Sequence, residues 1–141
     1  EQLARYRNKL SGPLLDRIDL HVEVPAVPYA DLRATDGGVS SAEMRARVLG
    51  ARAVQEERFA GFAPRCNAEL SGGLLERHCA LDAAGHTLME AAMRRLGLSA
   101  RAYTRVLRLA RTIADLDGAE HIGVEHLSEA IQYRNTDILK G

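Results

Sequence analysis

The chain has 141 residues, of which 46% are hydrophobic and 4% aromatic, with 19 basic and 19 acidic side chains. This length allows one domain, or a small domain with part of another, and the apolar share suffices for an aliphatic core. A formal net charge of zero gives no overall electrostatic case for binding a nucleic acid or a membrane surface.

The sequence carries no recognisable signal for membrane insertion or secretion. No apolar run approaches the roughly 18 residues that a membrane span needs, and no signal-peptide pattern opens the chain. We therefore expect a cytoplasmic protein without membrane contact. Because the chain begins at Glu1 rather than at Met, we also expect it to be a piece of a longer protein.

The first 28 residues indicate a helix, a break and a strand. Residues 1–10 are charged and favour a helix, which Ser11-Gly12-Pro13 interrupts. Residues 18–24 alternate between apolar and polar side chains with several β-branched members, which predicts a strand with one apolar face. A single strand is not stable alone, so we expect this one to join a sheet whose other strands lie outside the sequence.

The remainder of the chain predicts a helical bundle. Residues 29–39 contain Asp-Gly-Gly and indicate a linker. Ser40 and Glu43 fit a capping box at the start of a helix that runs to about Phe59. Further helices are predicted near residues 73–78, 82–96, 99–117 and 123–133, with residues 61–70 irregular. The expected fold class is therefore mainly α, with about four principal helices packed together.

Arg17 lies between Asp16 and Asp19, directly before the predicted strand. Its spacing fits a surface salt bridge with either aspartate, which is a common and weakly stabilising arrangement. It also fits an arginine that is presented at the edge of a sheet toward another subunit. The residues alone leave both interpretations open.

Arginines recur along the helix predicted after Ser99. At 100° per residue, Arg101, Arg105 and Arg108 share one face opposite the apolar stripe, and Arg111 lies at its edge. The ordinary interpretation is a solvated arginine face. Arg101 differs because it lies in the first turn, where free N–H groups and the helix dipole attract anions. A cation there opposes the dipole but adds a bidentate donor for phosphate, which is a mild indication of function.

Other chemistry receives little support from the sequence. The five histidines show no metal-ligand spacing, and no metal site is predicted. Cys66 and Cys79 are too few for a disulfide framework and too far apart for a CxxC pair, so we interpret them as free thiols. Neither GxxxxGK[ST] nor GxGxxG occurs, so we do not expect a self-sufficient ATPase or dehydrogenase.

Four separated segments nevertheless resemble one family, in order along the chain. They read RYRNKLSGPLLDRIDLHVEVP, RCNAEL, LGLSARAYTRVLRLARTIADL and HLSEAIQYR. Together they resemble the C-terminal part of the bacterial magnesium-chelatase-like AAA+ ATPases, within the ComM/YifB family. The resemblance implies that residues 1–28 close the α/β core of the ATPase, residues 29–39 are a linker, and residues 40–141 form its helical-bundle lid.

The same resemblance implies roles for three arginines. The arginine of the segment that reads PLLDRIDL here is the arginine finger in related ATPases, so Arg17 would reach the neighbouring subunit's ATP. Arg101 takes the position of the sensor 2 arginine, which contacts the γ-phosphate from the start of a lid helix. Arg105, one turn later, is a weaker candidate for nucleotide binding. Whether Arg101 would act on its own subunit's nucleotide or on a neighbour's stays open.

The resemblance finally implies a parent protein and its activity. ATP and Mg²⁺ would be bound by a full-length parent whose Walker A and Walker B motifs lie upstream, and this chain alone would neither bind them tightly nor hydrolyse ATP. The parent would be a hexameric ring that drives DNA branch migration as a helicase during natural transformation. Two alternatives are a chelatase-type ATPase that remodels a protein partner, and a helical interaction module without enzymatic activity.

Overall fold

The computed structural model describes residues 17–29, 33 and 38–134, and within them the chain is a bundle of helices. The predictions for residues 1–16 lie outside the described residues. A single 3-10 turn, Asn67–Glu69, lies in the stretch that was predicted to be irregular. The α-helices that lie wholly within the described residues are α1 (Ser41–Arg58), α2 (Gly72–His78), α3 (Ala83–Leu96), α4 (Ala100–Leu116) and α5 (Val124–Gln132). The mainly α prediction is therefore confirmed.

The helix starts follow from short capping side chains. The Ser40 hydroxyl accepts the Glu43 N–H at 3.2 Å, and the Glu43 carboxylate accepts the Ser40 N–H at 2.8 Å, which confirms the predicted capping box. Ser99 Oγ accepts the Ala102 N–H at 3.1 Å and so fixes the first turn of α4. The Ser99 cap therefore places Arg101 in the first turn of α4, as predicted.

The strand predicted over residues 18–24 is not formed. The described part of the chain contains no strand, and the His21 N–H donates to the Tyr133 carbonyl at 2.8 Å instead of to a sheet neighbour. Because the described residues supply no second strand, no sheet covers the alternating apolar side chains. They remain partly or largely exposed, at Ile18, Leu20, Val22 and Val24.

The core is organised around α4, which contacts α1, α5 and the 3-10 turn, while α3 packs against α5. The predicted apolar stripe of α4 is buried at Val106, Leu107, Ala110, Ile113 and Ala114. Side chains from every other part of the bundle complete this core, including Phe59, Leu70, Met89, Ile122 and Leu127. None of the described helices is both long and apolar enough to cross a membrane.

Gly97 ends α3 in the left-handed conformation, with φ 63° and ψ 38°, while its N–H donates to the Met93 carbonyl. We expect Gly97→Ala to lower the free energy of unfolding by about 1 kcal/mol, because a Cβ is disfavoured at this φ. Gly73→Ala is the matched control, since Gly73 lies within α2 at ordinary φ with open space around a Cβ. Urea unfolding followed by circular dichroism should show no loss for that control. Equal effects of the two substitutions would contradict the left-handed conformation of Gly97.

Candidate functional site

The segment of residues 17–21 lies against the helical bundle. The Asp19 carboxylate forms an ion pair with the Arg105 guanidinium of α4 at 2.8 Å. The Arg134 guanidinium donates to the Ile18 carbonyl, and the His21 N–H donates to Tyr133 beyond the end of α5. Residues 18–21 are therefore held by α4 on one side and by the end of α5 on the other.

Arg17 and Arg101 are both exposed, and neither forms an ion pair with another described residue. Asp19, one of the two aspartates considered as a partner of Arg17, is instead paired with Arg105. Asp16, the other candidate, lies outside the described residues. Among the residues that the structure describes, the guanidinium groups of Arg17 and Arg101 are thus available to an anion.

The expectation of a solvated arginine face on α4 is wrong for two of its members, Arg105 and Arg108. Arg108 Nε donates to the Leu70 carbonyl at 2.8 Å, which ties α4 to the segment before α2. Arg111, placed at the edge of that face, has a side chain that is only 2% exposed. The Arg105 side chain is 22% exposed and paired. Arg101 therefore differs from the other arginines of α4 in being exposed and without an ion-pair partner among the described residues.

A buried polar network that the sequence analysis did not predict lies at the C-terminal half of α4. Its centre is the Asp115 carboxylate, which pairs with the Arg58 guanidinium and accepts the Asn67 amide at 2.7 Å. Arg111 Nε donates to the same carboxylate at 3.1 Å. The two terminal nitrogens of Arg111 donate to the Glu120 carbonyl at 2.8 Å and the Ala119 carbonyl at 2.6 Å. The network joins α1, the 3-10 turn, α4 and the loop after α4.

The ionisation of this network follows from its contacts. Burial alone would raise the pKa of Asp115, but hydrogen bonds from Arg58 and Asn67 and the charge of Arg111 outweigh it and lower that pKa. Burial also lowers the pKa of Arg111, against the opposing effect of Asp115. Since an arginine starts far above neutral pH, both groups stay charged and mutually compensated. The arrangement is that of a structural network rather than of a proton-transfer site.

A signal for this network was present in the sequence. Arg111 and Asp115 are four residues apart, and Arg111 lies 40° from Leu107 around the helix, within reach of the buried face. An oppositely charged pair at that spacing beside an apolar stripe is a candidate for a buried ion pair. The partners Arg58 and Asn67 could not have been found, because they are distant along the chain.

A cleft of about 430 Å³ opens beside the network. Three guanidinium groups line it, from Arg58, Arg77 and Arg111, together with the imidazole of His78. Burial lowers the pKa of His78, and the charges of the three arginines lower it further. The cleft therefore combines these arginines with two acidic residues, Asp115 and Glu120, and with an imidazole that is uncharged near neutral pH.

The described residues form neither a metal site nor a reactive thiol site. The described residues contain no group of three or more histidine, cysteine or acidic side chains that could hold a metal ion. Cys66 and Cys79 are free thiols, as predicted. Burial raises the pKa of Cys79 to about 11, so this thiol stays protonated and unreactive at neutral pH.

Comparison with known families accounts for both parts of the chain. The family described as "Magnesium chelatase, subunit ChlI C-terminal" matches residues 38–134, and the family described as "Magnesium chelatase, subunit ChlI" matches residues 1–32. The chain belongs to the family described as magnesium chelatase, subunit ChlI C-terminal. The boundary between the two matches falls within the predicted linker, so the bundle α1–α5 corresponds to the C-terminal family region.

Individual relatives are similar along nearly the entire chain. The Competence protein ComM of Haemophilus influenzae is 47% identical over 135 residues, which are 95% of this chain and 26% of that protein. YifB of Escherichia coli is 42% identical over 140 residues, 99% of this chain and 27% of that protein. YifB of Salmonella typhimurium is 41% identical over the same length. The chain thus spans about a quarter of the length of these relatives, and the resemblance to the ComM/YifB proteins is confirmed.

Proposed function

We propose that this chain is the C-terminal part of an ATP-dependent AAA+ motor of the ComM type that acts on DNA. Its membership of the chelatase family supports this assignment, as does the similarity to a competence protein. The observation that carries the proposal is the exposure of Arg17 and Arg101, the two arginines that the family resemblance assigns to nucleotide contact. Neither is committed to an ion pair among the described residues.

In this proposal both arginines contact the γ-phosphate of ATP, and Arg17 does so at the site of the neighbouring subunit. Arg17 is the arginine finger, which stabilises the charge that develops on the γ-phosphate of an ATP bound by the neighbouring subunit. Arg101 is sensor 2, placed by the Ser99 cap where the N-terminus of α4 already favours an anion. Arg105 is the weaker candidate because its guanidinium is largely buried and occupied by Asp19.

The proposed architecture assigns each part of the chain a place in a larger protein. Residues 1–28 would end the α/β core, residues 29–39 would be the linker, and residues 40–141 would be the lid of a cytoplasmic hexameric ring. The exposed guanidinium groups suit the phosphates of ATP. ATP and Mg²⁺ would be held by the Walker motifs that the family resemblance places upstream in the parent.

The proposal predicts ATP hydrolysis that depends on DNA and on Arg101. The full-length protein should hydrolyse ATP faster when branched DNA is added, and should move the branch point only with hydrolysable ATP. We expect Arg101→Ala to lower turnover by roughly 10²-fold or more, because one γ-phosphate donor is lost. A coupled ATPase assay and a branch-migration gel measure both effects. Turnover that is indifferent to Arg101 would contradict the sensor 2 assignment.

A second candidate function is a chelatase-type ATPase that remodels a protein partner, and membership of a family named for a magnesium chelatase subunit favours it. It shares the two arginines and differs only in the substrate. ATP turnover that requires Arg101 but is insensitive to DNA would favour it. A helical interaction module without enzymatic activity, the third alternative, requires turnover to be independent of both Arg17 and Arg101.

A further inference from the structure

The contact between Asp19 and Arg105 joins two regions that the family assignment treats as separate. Asp19 belongs to the segment of Arg17, and Arg105 belongs to α4, one helical turn after Arg101. The Arg105 side chain is 22% exposed, whereas that of Asp19 is 71% exposed. A mostly buried arginine side chain of α4 therefore pairs with an exposed carboxylate of the segment that contains Arg17.

Two further contacts restrict the same segment. The guanidinium of Arg134, a residue only 4% exposed, donates to the Ile18 carbonyl, and the His21 N–H donates to the Tyr133 carbonyl at 2.8 Å. Arg17 lies two residues before Asp19, a stretch of chain that spans at most about 7 Å. The position of Arg17 is consequently limited by where α4 and the end of α5 hold residues 18–21.

We infer that Arg105 is a positioning residue, which acts through Asp19 to set the place of the Arg17 finger. This inference rests on the proposed function. Because Arg101 and Arg105 are on the same rigid helix, a movement of α4 that follows the nucleotide at Arg101 also moves Asp19 and with it Arg17. The ion pair thereby couples the nucleotide state at the site of Arg101 to the position of Arg17 at the site of the neighbouring subunit.

The expected effect is on catalysis rather than on stability. An ion pair with one largely exposed partner contributes little to folding, so its loss should leave the bundle intact. A catalytic group displaced by about 1 Å can lose roughly 10²-fold in rate. Loss of the pair should therefore lower kcat while the KM for ATP changes little, since the finger acts mainly in the transition state.

Charge reversal in the full-length protein tests this inference. The single variants Asp19→Arg and Arg105→Asp should each lower kcat by roughly 10- to 100-fold, and the double variant should recover most of that loss. The exposed ion pair between Glu90 and Arg94 on α3 supplies the matched control. Glu90→Arg, Arg94→Glu and their combination should leave kcat unchanged. Thermal unfolding of every variant verifies that the fold is retained.

The outcomes separate this inference from the proposal beneath it. If Arg17→Ala abolishes turnover while both single reversals keep the wild-type kcat, only the positioning role is overturned. A double variant as inactive as Arg105→Asp would also overturn it, because Arg105 would then act on the nucleotide directly. If Arg17→Ala itself leaves turnover unchanged, the finger assignment fails and the positioning role fails with it.

Discussion

Arg17→Ala in the full-length protein is expected to lower ATP turnover by roughly 10³-fold or more, the range over which arginine fingers act in phosphoryl transfer. The Arg17 side chain is exposed beside a segment that three contacts hold in place, and it has no ion pair with a described residue. In the proposed finger role, its loss removes a transition-state contact, and because the side chain is exposed and unpaired among the described residues, little else is disturbed. The measurement is steady-state ATPase, with ATP affinity measured separately to separate binding from turnover.

Two controls sharpen this expectation. Arg52→Ala removes an exposed arginine of α1 that has no ion pair among the described residues, and it should leave turnover unchanged. Mixing Arg17→Ala subunits with subunits inactivated at their own nucleotide site should restore part of the activity, since the second kind can lend a finger to the first. Without recovery in the mixture, a finger that acts between subunits would be excluded.

The second large effect concerns folding. Asp115→Ala is expected to lower the free energy of unfolding by about 3–5 kcal/mol, because it leaves the buried charge of Arg111 uncompensated and removes the partner of Arg58 and Asn67. Urea unfolding of the 141-residue chain measures this loss. Glu120→Ala is the control, since the Glu120 side chain is 89% exposed and its removal should change stability by less than about 0.5 kcal/mol.

The pH dependence of the free energy of unfolding should also reveal the contribution of Asp115. Because the folded-state pKa of Asp115 is lowered, this carboxylate contributes stability above its unfolded pKa of about 3.9. That contribution is lost as the pH falls through the lower folded-state pKa. Asp115→Asn, which does not titrate, should therefore show a flatter stability profile below about pH 4 than the wild-type chain. Parallel profiles would mean that Asp115 is not held ionised by the network.

The helices were predictable because their signals are local. Ser40 and Ser99 cap turns that begin within three residues, and Gly97 ends α3 by its own backbone conformation. The apolar stripe of α4 was equally readable from its period of 3.6 residues. In contrast, the strand prediction over residues 18–24 failed because strands depend on a partner, and the described residues contain none.

The candidate site was predictable only in part, because several of its contacts join residues that are far apart along the chain. The first-turn position of Arg101 followed from its cap, but the occupation of Arg105 by Asp19 joins residues 86 positions apart. Arg108 was expected in solvent because helical periodicity cannot show that the Leu70 carbonyl lies beside it. Periodicity assigns a face to each side chain, whereas only the tertiary packing assigns it a partner.

The two carbonyls bound by Arg111 have a consequence for how the bundle opens. The loop between α4 and α5 would ordinarily be a separately fluctuating surface element, since a loop has few buried contacts of its own. Here the carbonyls of Ala119 and Glu120 accept from a guanidinium that is buried among α1 and α4 and already bound to Asp115. Detaching the loop would leave the buried Arg111 guanidinium without its two carbonyl acceptors. Opening of the loop is therefore linked to disruption of the core. The loop thus belongs to the same cooperative unit as the bundle. Exchange of the Ala119 N–H, which donates to the Ala114 carbonyl at 2.8 Å, would then follow global unfolding.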